Sequence, residues 1–351
     1  MDSRYFSDRI VEWYEQNHRK LLWRETRDPY RIWLSEIILQ QTRVNQGLPY
    51  YVRFVEKYPT IRHLARAKEQ EVLRLWQGLG YYTRARNLHK CAQKVVSEYN
   101  GKFPESFLEI KKLPGIGDYT AAAIASIAFD EPVAVVDGNV FRVLARVFNI
   151  EEDISTGRGK THFFEKANRL IDPARPGLFN QAVMEFGALH CTPQQPGCND
   201  CIFEHDCQAN KMGLQHLLPV KTRSKASKKR YFYYFVIGDG NKFALKKRTE
   251  KDIWHGLYDF YLVEKSRPAR VEKIVSEDLL LKKFSKDHFS SSPTYRHVLS
   301  HQTILAKFIT VLPDKRKLEK VNTLQFFTKN RIHNLPKPIL INKFLSDHKI
   351  L

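Results

Sequence analysis

The most informative segment of the sequence is Leu113-Pro114-Gly115-Ile116-Gly117-Asp118-Tyr119-Thr120. Two glycines one residue apart permit a tight turn, because glycine adopts backbone conformations that a Cβ atom disfavours. The residues that follow have the spacing of an amphipathic helix, with Ala121, Ile124, Ala125 and Ala128 on one face. We therefore predict a turn between two helices. Its backbone N–H groups can hold a phosphate oxygen at the helix N-terminus, and a simple helix-capping turn is the alternative.

Other helices are predicted on both sides of this turn. Residues 30–38 place apolar or aromatic side chains at positions 30, 33, 34, 37 and 38, and residues 140–148 repeat that period. Between the hairpin and the second of these helices, residues 133–136 have the pattern of a strand. This segment leads into Asp137, whose position allows it to cap the next helix and to carry a negative charge there.

A different pattern begins near residue 221. Residues 221–230 are basic, lack an apolar period and predict a linker. Strands are predicted at 231–237, 242–246 and 257–263, a helix at about 271–284, and further strands near 296–312. The predicted architecture is a mostly α domain at 1–212, a basic linker at 213–229 and a smaller α+β domain at 230–351.

Charge separates the same two regions. The 351 residues include 58 Lys and Arg against 38 Asp and Glu, a net charge of +20. Residues 1–212 carry 29 basic and 26 acidic side chains, whereas residues 213–351 carry 29 and 12. Such an excess favours a polyanionic partner such as nucleic acid. An apolar content of 42% excludes disorder as the main state, and we find no apolar run long enough to cross a membrane.

Four of the five cysteines fall close together, in the pattern C-x6-C-x2-C-x5-C formed by Cys191, Cys198, Cys201 and Cys207. We see no secretory signal at the N-terminus, so we expect reduced thiols and a cytoplasmic, nucleoid-associated protein rather than two disulfides. The spacing itself leaves a zinc ion and a [4Fe-4S] cluster open. Cys91 stands apart and is interpreted as an ordinary buried thiol.

The motifs together resemble the MutY family of adenine DNA glycosylases, which belong to the helix-hairpin-helix (endonuclease III) superfamily. The segments that carry this resemblance are residues 33–42 (WLSEIILQQT), 78–82 (GLGYY), 113–120 (LPGIGDYT), 136–140 (VDGNV), 179–182 (FNQA) and the four cysteines. The resemblance covers nearly all of residues 1–212. It implies a [4Fe-4S] cluster at 191–207 and a monomeric enzyme of base excision repair that acts on double-stranded DNA.

The resemblance also implies a set of catalytic residues. Glu36 is the acid that protonates the N7 atom of adenine, and Asp137 stabilises the cationic sugar. Tyr119 and Asn139 orient these carboxylates and the attacking water. Since endonuclease III relatives carry a lysine where Tyr119 stands, and a phenol cannot form a Schiff base, we predict a monofunctional glycosylase. A bifunctional glycosylase and lyase, or a non-catalytic DNA-binding protein on the same scaffold, are the alternatives.

Contacts with DNA are implied in the same way. The adenine base leaves the duplex by base flipping. Its pocket is expected to be lined by Arg19, Trp23, Arg24, Leu39 and Gln181. Gln41 and Tyr81 resemble the residues that enter the duplex, and Gly115 and Gly117 belong to the hairpin that holds the DNA backbone.

The resemblance continues more weakly into the second domain, which is expected to be Nudix-like and to recognise 8-oxoguanine opposite the adenine. Residues 254–260 (WHGLYDF) resemble a segment of that fold, but the glutamate-rich Nudix box is missing, so we predict no pyrophosphatase activity. Residues 297–301 resemble the lesion-reading loop. There Leu299 replaces an aromatic residue, and Ser300 and His301 can hydrogen-bond the modified guanine.

Overall fold

The computed structural model describes residues 1–222, 228–285, 287–299, 301–313 and 324–350. The chain forms two compact units. The first contains residues 1–66 and 87–223, and the second contains residues 67–86 and 224–351. Within the described residues, every helix is too short or too polar to cross a lipid bilayer.

The first part of the chain is helical. Its α-helices, in chain order, are α1 (Ser3–Asn17), α2 (Pro29–Leu39), α3 (Val44–Lys57), α4 (Ile61–Arg66), α5 (Glu69–Leu75), α6 (Thr83–Glu98), α7 (Phe107–Ile110), α8 (Asp118–Phe129), α9 (Gly138–Phe148), α10 (Gly157–Leu170), α11 (Pro176–Leu189) and α12 (Gln208–Met212). The helices predicted at 30–38, after the glycine turn and at 140–148 are therefore confirmed as α2, α8 and α9. A short 3-10 helix, Leu22–Arg24, precedes α2.

Local sequence explains where these helices begin. Asp28 caps α2 by accepting a hydrogen bond from the backbone N–H of Tyr30, and Pro29 occupies the first turn, where no amide hydrogen is needed. The glycine turn before α8 requires the left-handed conformation at Gly115, whose φ is 76°. Both turn glycines, Gly115 and Gly117, are exposed.

The core of the first unit joins α1, α9, α10 and α11 with residues 191–207, the cysteine loop. Phe6 of α1 stacks on Phe203 of that loop with ring centroids 5.0 Å apart. Phe163, Phe179 and Phe186 extend the same apolar cluster. This packing places the first turn of α9 beside the C-terminal half of α11, where Glu185 and Gly187 lie.

The predicted strand at 133–136 is wrong, because this segment is extended but belongs to no sheet. Asparagine side chains take the place of a neighbouring strand. Asn180 Oδ1 accepts from Val135 N at 2.9 Å, and Asn180 Nδ2 donates to Val133 O at 2.9 Å. Asn168 Oδ1 accepts from Ala134 N at 2.9 Å. Buried backbone groups need such partners, and side chains can supply them as well as a strand can.

The second unit contains the strands. They are β1 (Lys228–Ile237), β2 (Lys242–Lys247), β3 (Tyr258–Asp259), β4 (Tyr261–Lys265), β5 (Phe289–Ser291), β6 (Tyr295–Val298), β7 (Gln302–Val311) and β8 (Gln325–Thr328). Among the described residues, one sheet has the order β4-β1-β7-β5, with β6 also paired to β7, and another has the order β3-β2-β8. β1 and β7 run parallel, whereas the other pairs are antiparallel.

After residue 265, the described residues of this unit form the helices α13 (Val271–Glu277), α14 (Lys329–Asn334) and α15 (Ile339–Asp347), with a 3-10 helix at Leu281–Phe284. The α+β prediction for this region is confirmed, with two differences in detail. The predicted strand 257–263 is divided into β3 and β4, and β1 begins at Lys228 inside the basic segment predicted as a linker. Residues 223–227 of that linker lie outside the described residues.

Residues 67–86 pack with the second unit through several hydrogen bonds. Arg86 Nη1 donates to His255 O at 2.5 Å, and Gln70 Nε2 donates to Tyr258 Oη at 3.2 Å. The helix α5 and the loop that follows it therefore belong structurally with the strands, although in sequence they lie within the helical region.

Candidate active site

A cavity of about 660 Å³ opens in the first unit where α2, α8, α9 and α11 meet. The residues predicted for catalysis and for the adenine pocket all line this one cavity: Glu36, Asp137, Tyr119, Asn139, Arg19, Trp23, Arg24, Leu39 and Gln181. They come from four helices and from the turn before α2, and the fold brings them together.

Glu36 lies on the buried face of α2, where only 9% of the residue is exposed. Burial raises its pKa to about 7, and the negative charge of Asp137 adds to the rise. The hydrogen bond from Tyr119 and the charge of Arg24 oppose this shift but do not cancel it. A carboxyl group with such a pKa holds a proton near neutral pH and can deliver it to a bound base.

Tyr119, in the first turn of α8, holds Glu36 directly. Its hydroxyl donates to Glu36 Oε2 at 2.5 Å and also lies 3.6 Å from the sulfur of Met184. Burial, followed by the charges of Glu36 and Asp137, raises the pKa of Tyr119 well above its usual range. The phenol therefore stays protonated and acts as a fixed donor to the carboxylate form of Glu36.

Asp137 caps α9, as its position in the sequence suggests. Its Oδ1 accepts from Asn139 N and Val140 N, both at 2.8 Å, and its Oδ2 accepts from Asn139 Nδ2 at 2.8 Å. Burial nonetheless raises the pKa of Asp137 above its ordinary value, and these donors only partly oppose the shift. The helix N-terminus thus fixes the position of the carboxylate more than it favours the charge.

Asn139 is held by a residue that sequence reasoning missed. Arg142, one turn further along α9, donates through Nη2 to Asn139 Oδ1 at 2.9 Å and to Gly187 O at 2.7 Å. Its Nε donates to Cys191 O at 2.8 Å, which connects the cavity wall to the start of the cysteine loop. The i, i+3 spacing to Asn139 was the available signal for this pairing.

The close approach of α11 to this turn depends on Gly187. A Cβ atom at Gly187 would lie 2.8 Å from Asn139 Cβ and 2.9 Å from Asn139 O. Any larger residue would push α11 away from the first turn of α9, and Asn139 would lose its fixed position.

Glu185 on α11 was also missed, and it organises two of the predicted pocket residues. Arg19 Nη2 lies 2.5 Å and Arg24 Nη2 2.7 Å from Glu185 Oε2, whose side chain is 1% exposed. Burial alone would raise the pKa of Glu185, but the hydrogen bonds from Arg19 and Arg24 lower it to about 2. Glu185 follows Gln181 by four residues and so shares its helix face, which was the signal in the sequence.

This ion pair changes the expected part of the two arginines. We expected both to hydrogen-bond the edge of the base, but most of their donors are directed at Glu185. Gln181 is placed differently, since its Oε1 accepts from Tyr14 Oη at 2.8 Å, which leaves the amide nitrogen as a donor. Trp23 packs edge-on against Tyr51, with ring centroids 5.1 Å apart, and forms an apolar wall.

The four clustered cysteines line a second, small cavity together with Arg146, Phe186 and His190. Burial raises the pKa of Cys201 to about 12, and the neighbouring cysteines contribute to the rise. Crowded, buried thiols of this kind ionise only when a bound cation compensates their charge. Among the described residues of this cavity, His190 Nε2 and Gln215 Oε1 are buried without a hydrogen-bond partner.

These thiols are better suited to bind a metal group as thiolate ligands than to serve as ordinary buried side chains. Arg146 Nη1 lies 3.4 Å from the Sγ of Cys191, and the backbone N–H of Phe203 lies 3.4 Å from the Sγ of Cys201. Such donors stabilise thiolate ligands. In the described parts of the chain, no three His, Cys, Asp or Glu side chains converge closely enough for one metal ion. A multi-iron cluster takes its thiolates on separate iron atoms.

The residues predicted to contact DNA are divided between the two units. Gln41, Gly115 and Gly117 lie in the first unit. In the second unit, Tyr81 is 44% exposed and has a φ of 47°, which is unusual for a residue with a side chain. Gln41 shares this left-handed conformation, with a φ of 55°.

The predicted lesion-reading loop connects β6 to β7. The N–H of Leu299 donates to Gln302 O at 2.8 Å. Leu299 is half-buried and His301 is exposed, whereas Ser300 lies outside the described residues. Trp254, from the predicted Nudix-like segment, contacts the ring of His297 with centroids 5.6 Å apart.

Comparison with known proteins finds two families that match different parts of the chain. Residues 34–175 match the HhH-GPD superfamily base excision DNA repair protein family, and residues 233–347 match the NUDIX domain family. Among solved structures, a thermostable thymine-DNA glycosylase is 29% identical with a TM-score of 0.55, covering 60% of this chain and 97% of that one. A trapped endonuclease III–DNA covalent intermediate is 26% identical with a TM-score of 0.53, covering 60% and 96%.

Several relatives of this chain are named adenine DNA glycosylase. The adenine DNA glycosylase of Rattus norvegicus is 47% identical over 215 residues, which cover 59% of this chain but only 42% of that protein. This chain therefore matches about two fifths of the length of the rat relative. The adenine DNA glycosylase of Buchnera aphidicola subsp. Acyrthosiphon pisum is 33% identical over 349 residues, covering 98% of this chain and 97% of the relative. On this nearly full-length match, the chain belongs to the adenine DNA glycosylase family of the HhH-GPD superfamily.

Proposed function

We propose that the protein hydrolyses the N-glycosidic bond of adenine mispaired with 8-oxoguanine or guanine, as a step of base excision repair. The observation that carries this proposal is the pair formed by Glu36 and Asp137 on one cavity. Glu36 has a pKa of about 7, is hydrogen-bonded to Tyr119 and lies close enough to Asp137 for their charges to interact. Two carboxyl groups with different environments divide the roles of acid and charge stabiliser.

The first chemical step needs a proton on the leaving base. Protonated Glu36 donates to the N7 atom of adenine, so the base leaves as a neutral molecule. The hydroxyl of Tyr119 then stabilises the carboxylate that Glu36 becomes, since its donor is already 2.5 Å from Oε2. No reorganisation is required at that moment, which is the main advantage of a fixed donor.

The second requirement is the sugar cation. The carboxylate of Asp137, held by three N–H donors on the first turn of α9, stabilises the positive charge that develops at C1′. Asn139 orients this carboxylate and the attacking water, which bonds to C1′ and gives its proton to the carboxylate that Glu36 has become. Since Tyr119 stands where a lyase carries its amine, the product is an abasic site in an intact strand.

DNA binding is proposed for both units. The exposed glycine turn Gly115–Gly117 holds the backbone, and Gln41 and Tyr81 enter the duplex where the adenine has flipped out. Leu299, Ser300 and His301 read the 8-oxoguanine. The hydroxyl and the imidazole supply hydrogen bonds, and Leu299 supplies apolar contact without the stacking of an aromatic ring.

A [4Fe-4S] cluster is proposed on Cys191, Cys198, Cys201 and Cys207, supported by their shared cavity and by the donors from Arg146 and Phe203. When bound, the cluster cross-links the loop and supplies a redox-active group. The purified protein should contain iron and sulfide and absorb at roughly 400 nm, as Cys-ligated clusters do. A colourless protein with stoichiometric zinc would favour the other candidate instead.

The decisive experiment measures release of free adenine from an 8-oxoguanine:adenine duplex with enzyme in excess. We expect Glu36→Gln to slow release by at least about a hundredfold, the usual size of a general-acid contribution, while duplex binding is retained. If the wild-type protein releases no adenine, the proposal is wrong. Borohydride trapping of a covalent DNA adduct through a lysine would favour the bifunctional lyase instead.

A further inference from the structure

The loop that carries Tyr81 has a left-handed backbone, which is unfavourable at Tyr81 because this residue has a side chain. Gly78, Gly80 and Tyr81, all between α5 and α6, have φ values of 106°, 74° and 47°. Open space surrounds the position that a Cβ atom of Gly80 would occupy, so crowding by neighbouring atoms does not force this backbone. A left-handed residue with a side chain, such as Tyr81, persists only where surrounding contacts determine its conformation. The side chain of Tyr81 is exposed, so its orientation depends on the few contacts that its ring makes.

Arg84, in the first turn of α6, supplies that support. The centre of its guanidinium lies 5.1 Å from the ring of Trp76 and 5.7 Å from the ring of Tyr81. The Nη2 atom also donates to Leu79 O at 3.3 Å and to Gly80 O at 3.4 Å. Burial lowers the pKa of Arg84 to about 10, so the group remains charged at neutral pH.

Two further contacts hold the same loop. Trp76 Nε1 donates to Gly80 O at 3.0 Å, so the ring beneath Arg84 is tied to the loop as well. Tyr82 Oη accepts from Gly78 N at 3.4 Å and donates at 3.3 Å to the carbonyl of Lys337. These bonds hold the loop at Gly78 and Gly80. Arg84 in turn contacts the exposed ring of Tyr81.

We propose that Arg84 is a positioning residue that presents the ring of Tyr81 for insertion into the duplex and thereby sets the affinity for the mispair. This inference rests on the proposed function, in which Tyr81 enters DNA. A ring held in its inserted orientation loses less conformational freedom on binding than a mobile ring. The planar guanidinium of Arg84 contacts both rings and donates to both carbonyls from one rigid group, a geometry that the single flexible ammonium of a lysine does not reproduce.

A double-mutant cycle tests this idea in the full-length protein. The probe is a duplex in which 8-oxoguanine faces 2′-fluoro-deoxyadenosine, because fluorine disfavours the sugar cation and the base is not released. We expect Arg84→Lys to weaken binding by about tenfold, the range of a cation–π contact together with its hydrogen bonds. In a Tyr81→Ala background, Arg84→Lys should cause almost no further loss, because the group that it positions is gone.

Two variants serve as controls. Tyr81→Phe keeps the ring and should preserve the full effect of Arg84→Lys. Arg267→Lys makes the same substitution at an exposed position of the second unit and should bind like the wild type. A fluorescent 2-aminopurine beside the 8-oxoguanine reports unstacking. Its signal should rise when the wild type binds and rise less with Arg84→Lys.

An equal loss of affinity from Arg84→Lys in both backgrounds would overturn the inference, because a lost phosphate contact or a folding defect would give that result. No loss in either background would overturn it too. If Arg84→Lys does not fold, Tyr82→Phe loosens the same loop without changing charge and should show the same dependence on Tyr81. The proposed function fails separately, if the wild type releases no adenine or if Tyr81→Ala binds normally.

Discussion

At the scale of single residues, the proton on Glu36 controls the chemistry. Because burial raises its pKa to about 7, the fraction of active acid falls as the pH rises through that value. On the acid side, protonation of Asp137, whose pKa is also raised, removes the charge that stabilises the sugar. We therefore expect a bell-shaped profile for the rate of adenine release, with the alkaline limb set by Glu36.

The measurement is the single-turnover rate from about pH 5 to about pH 9, where the alkaline limb should fall about tenfold per pH unit. A matched control is the binding affinity for the uncleavable duplex, which reports loss of fold or of DNA contact over the same range. A rate that stays constant from about pH 6 to about pH 9 would remove Glu36 from the role of acid.

Loss of the Glu185 carboxylate should strongly destabilise the first unit. Its carboxylate is buried between Arg19 and Arg24, and Glu185→Gln leaves two guanidinium groups without their counter-charge. Breaking a buried pair in this way costs about 3–5 kcal/mol, which thermal or urea unfolding would detect. Because the pKa of Glu185 is lowered to about 2, the wild-type advantage is present at neutral pH and is lost as the pH falls toward that value.

The control for this prediction is Glu165→Gln on α10. Glu165 also faces an arginine, Arg169, but at 3.9 Å and with both side chains more than half exposed. An exposed pair of this kind contributes less than about 1 kcal/mol, so the control should unfold like the wild type. Equal stability of the Glu185 and Glu165 variants would contradict the importance of the buried pair.

At the scale of elements, the sequence and the structure differ most at residues 133–136. Four apolar residues in a row predict a buried strand, but the partners of this segment are Asn168 and Asn180 rather than another strand. Periodicity reports which side chains are buried, and it contains no information about what satisfies the backbone. The extended segment still delivers Asp137 to the N-terminus of α9.

Asn180→Ala should therefore destabilise the first unit although it removes only a small polar group. Three hydrogen bonds disappear, to Val133 O, Val135 N and Ser126 Oγ, and their buried partners are left unsatisfied. We expect a loss of about 2–4 kcal/mol in the free energy of unfolding. Asn17→Ala, an exposed asparagine at the end of α1, is the matched control and should cost little. A small effect at Asn180 would mean that water replaces its amide.

The division of predicted strand 257–263 into β3 and β4 has a simple cause. β3 pairs with β2 in one sheet and β4 with β1 in the other, so the chain changes sheets at Phe260. Phe260 is fully buried and packs edge-on against Phe308 and Phe344. A run of alternating residues looks the same in sequence whether it stays in one sheet or crosses to another.

At the scale of the whole molecule, most of the positive charge lies after residue 212. The first 212 residues have a net charge of +3 and the remainder +17. Deleting residues 213–351 should flatten the salt dependence of DNA binding. The same deletion would also uncover residues 67–86, which pack against the deleted part. Neutralising charges in the full-length protein is therefore the cleaner experiment.

We expect replacement of the exposed Lys242, Lys246, Lys251 and Lys282 by Gln to reduce the slope of log affinity against log salt. Each lysine that contacts a phosphate contributes about 0.9 to that slope. The control replaces four exposed lysines of the first unit, Lys57, Lys90, Lys160 and Lys211, and should change the slope less. Equal slopes for the two variants would contradict a dominant role of the second unit in DNA attraction.

The sequence by itself determined the helices that carry the site, and its resemblance to a known family pointed to the residues that line the cavity. The helices depend on local order: the glycine turn before α8, the cap at Asp137 and the apolar period around Glu36. Spacing along one helix is set by the chain itself, so a short motif is enough to place a side chain on a given face.

Only the tertiary structure decided the pKa values of the site residues and the partners of the buried polar groups. The raised pKa of Glu36, the pairing of Glu185 with Arg19 and Arg24, and the support of residues 133–136 by Asn180 each join parts of the chain that are distant in sequence. The same holds for residues 67–86, which pack with strands that follow more than a hundred residues later. Burial and contact across such separations arise from packing, and a linear pattern does not encode which distant atoms will satisfy a buried group.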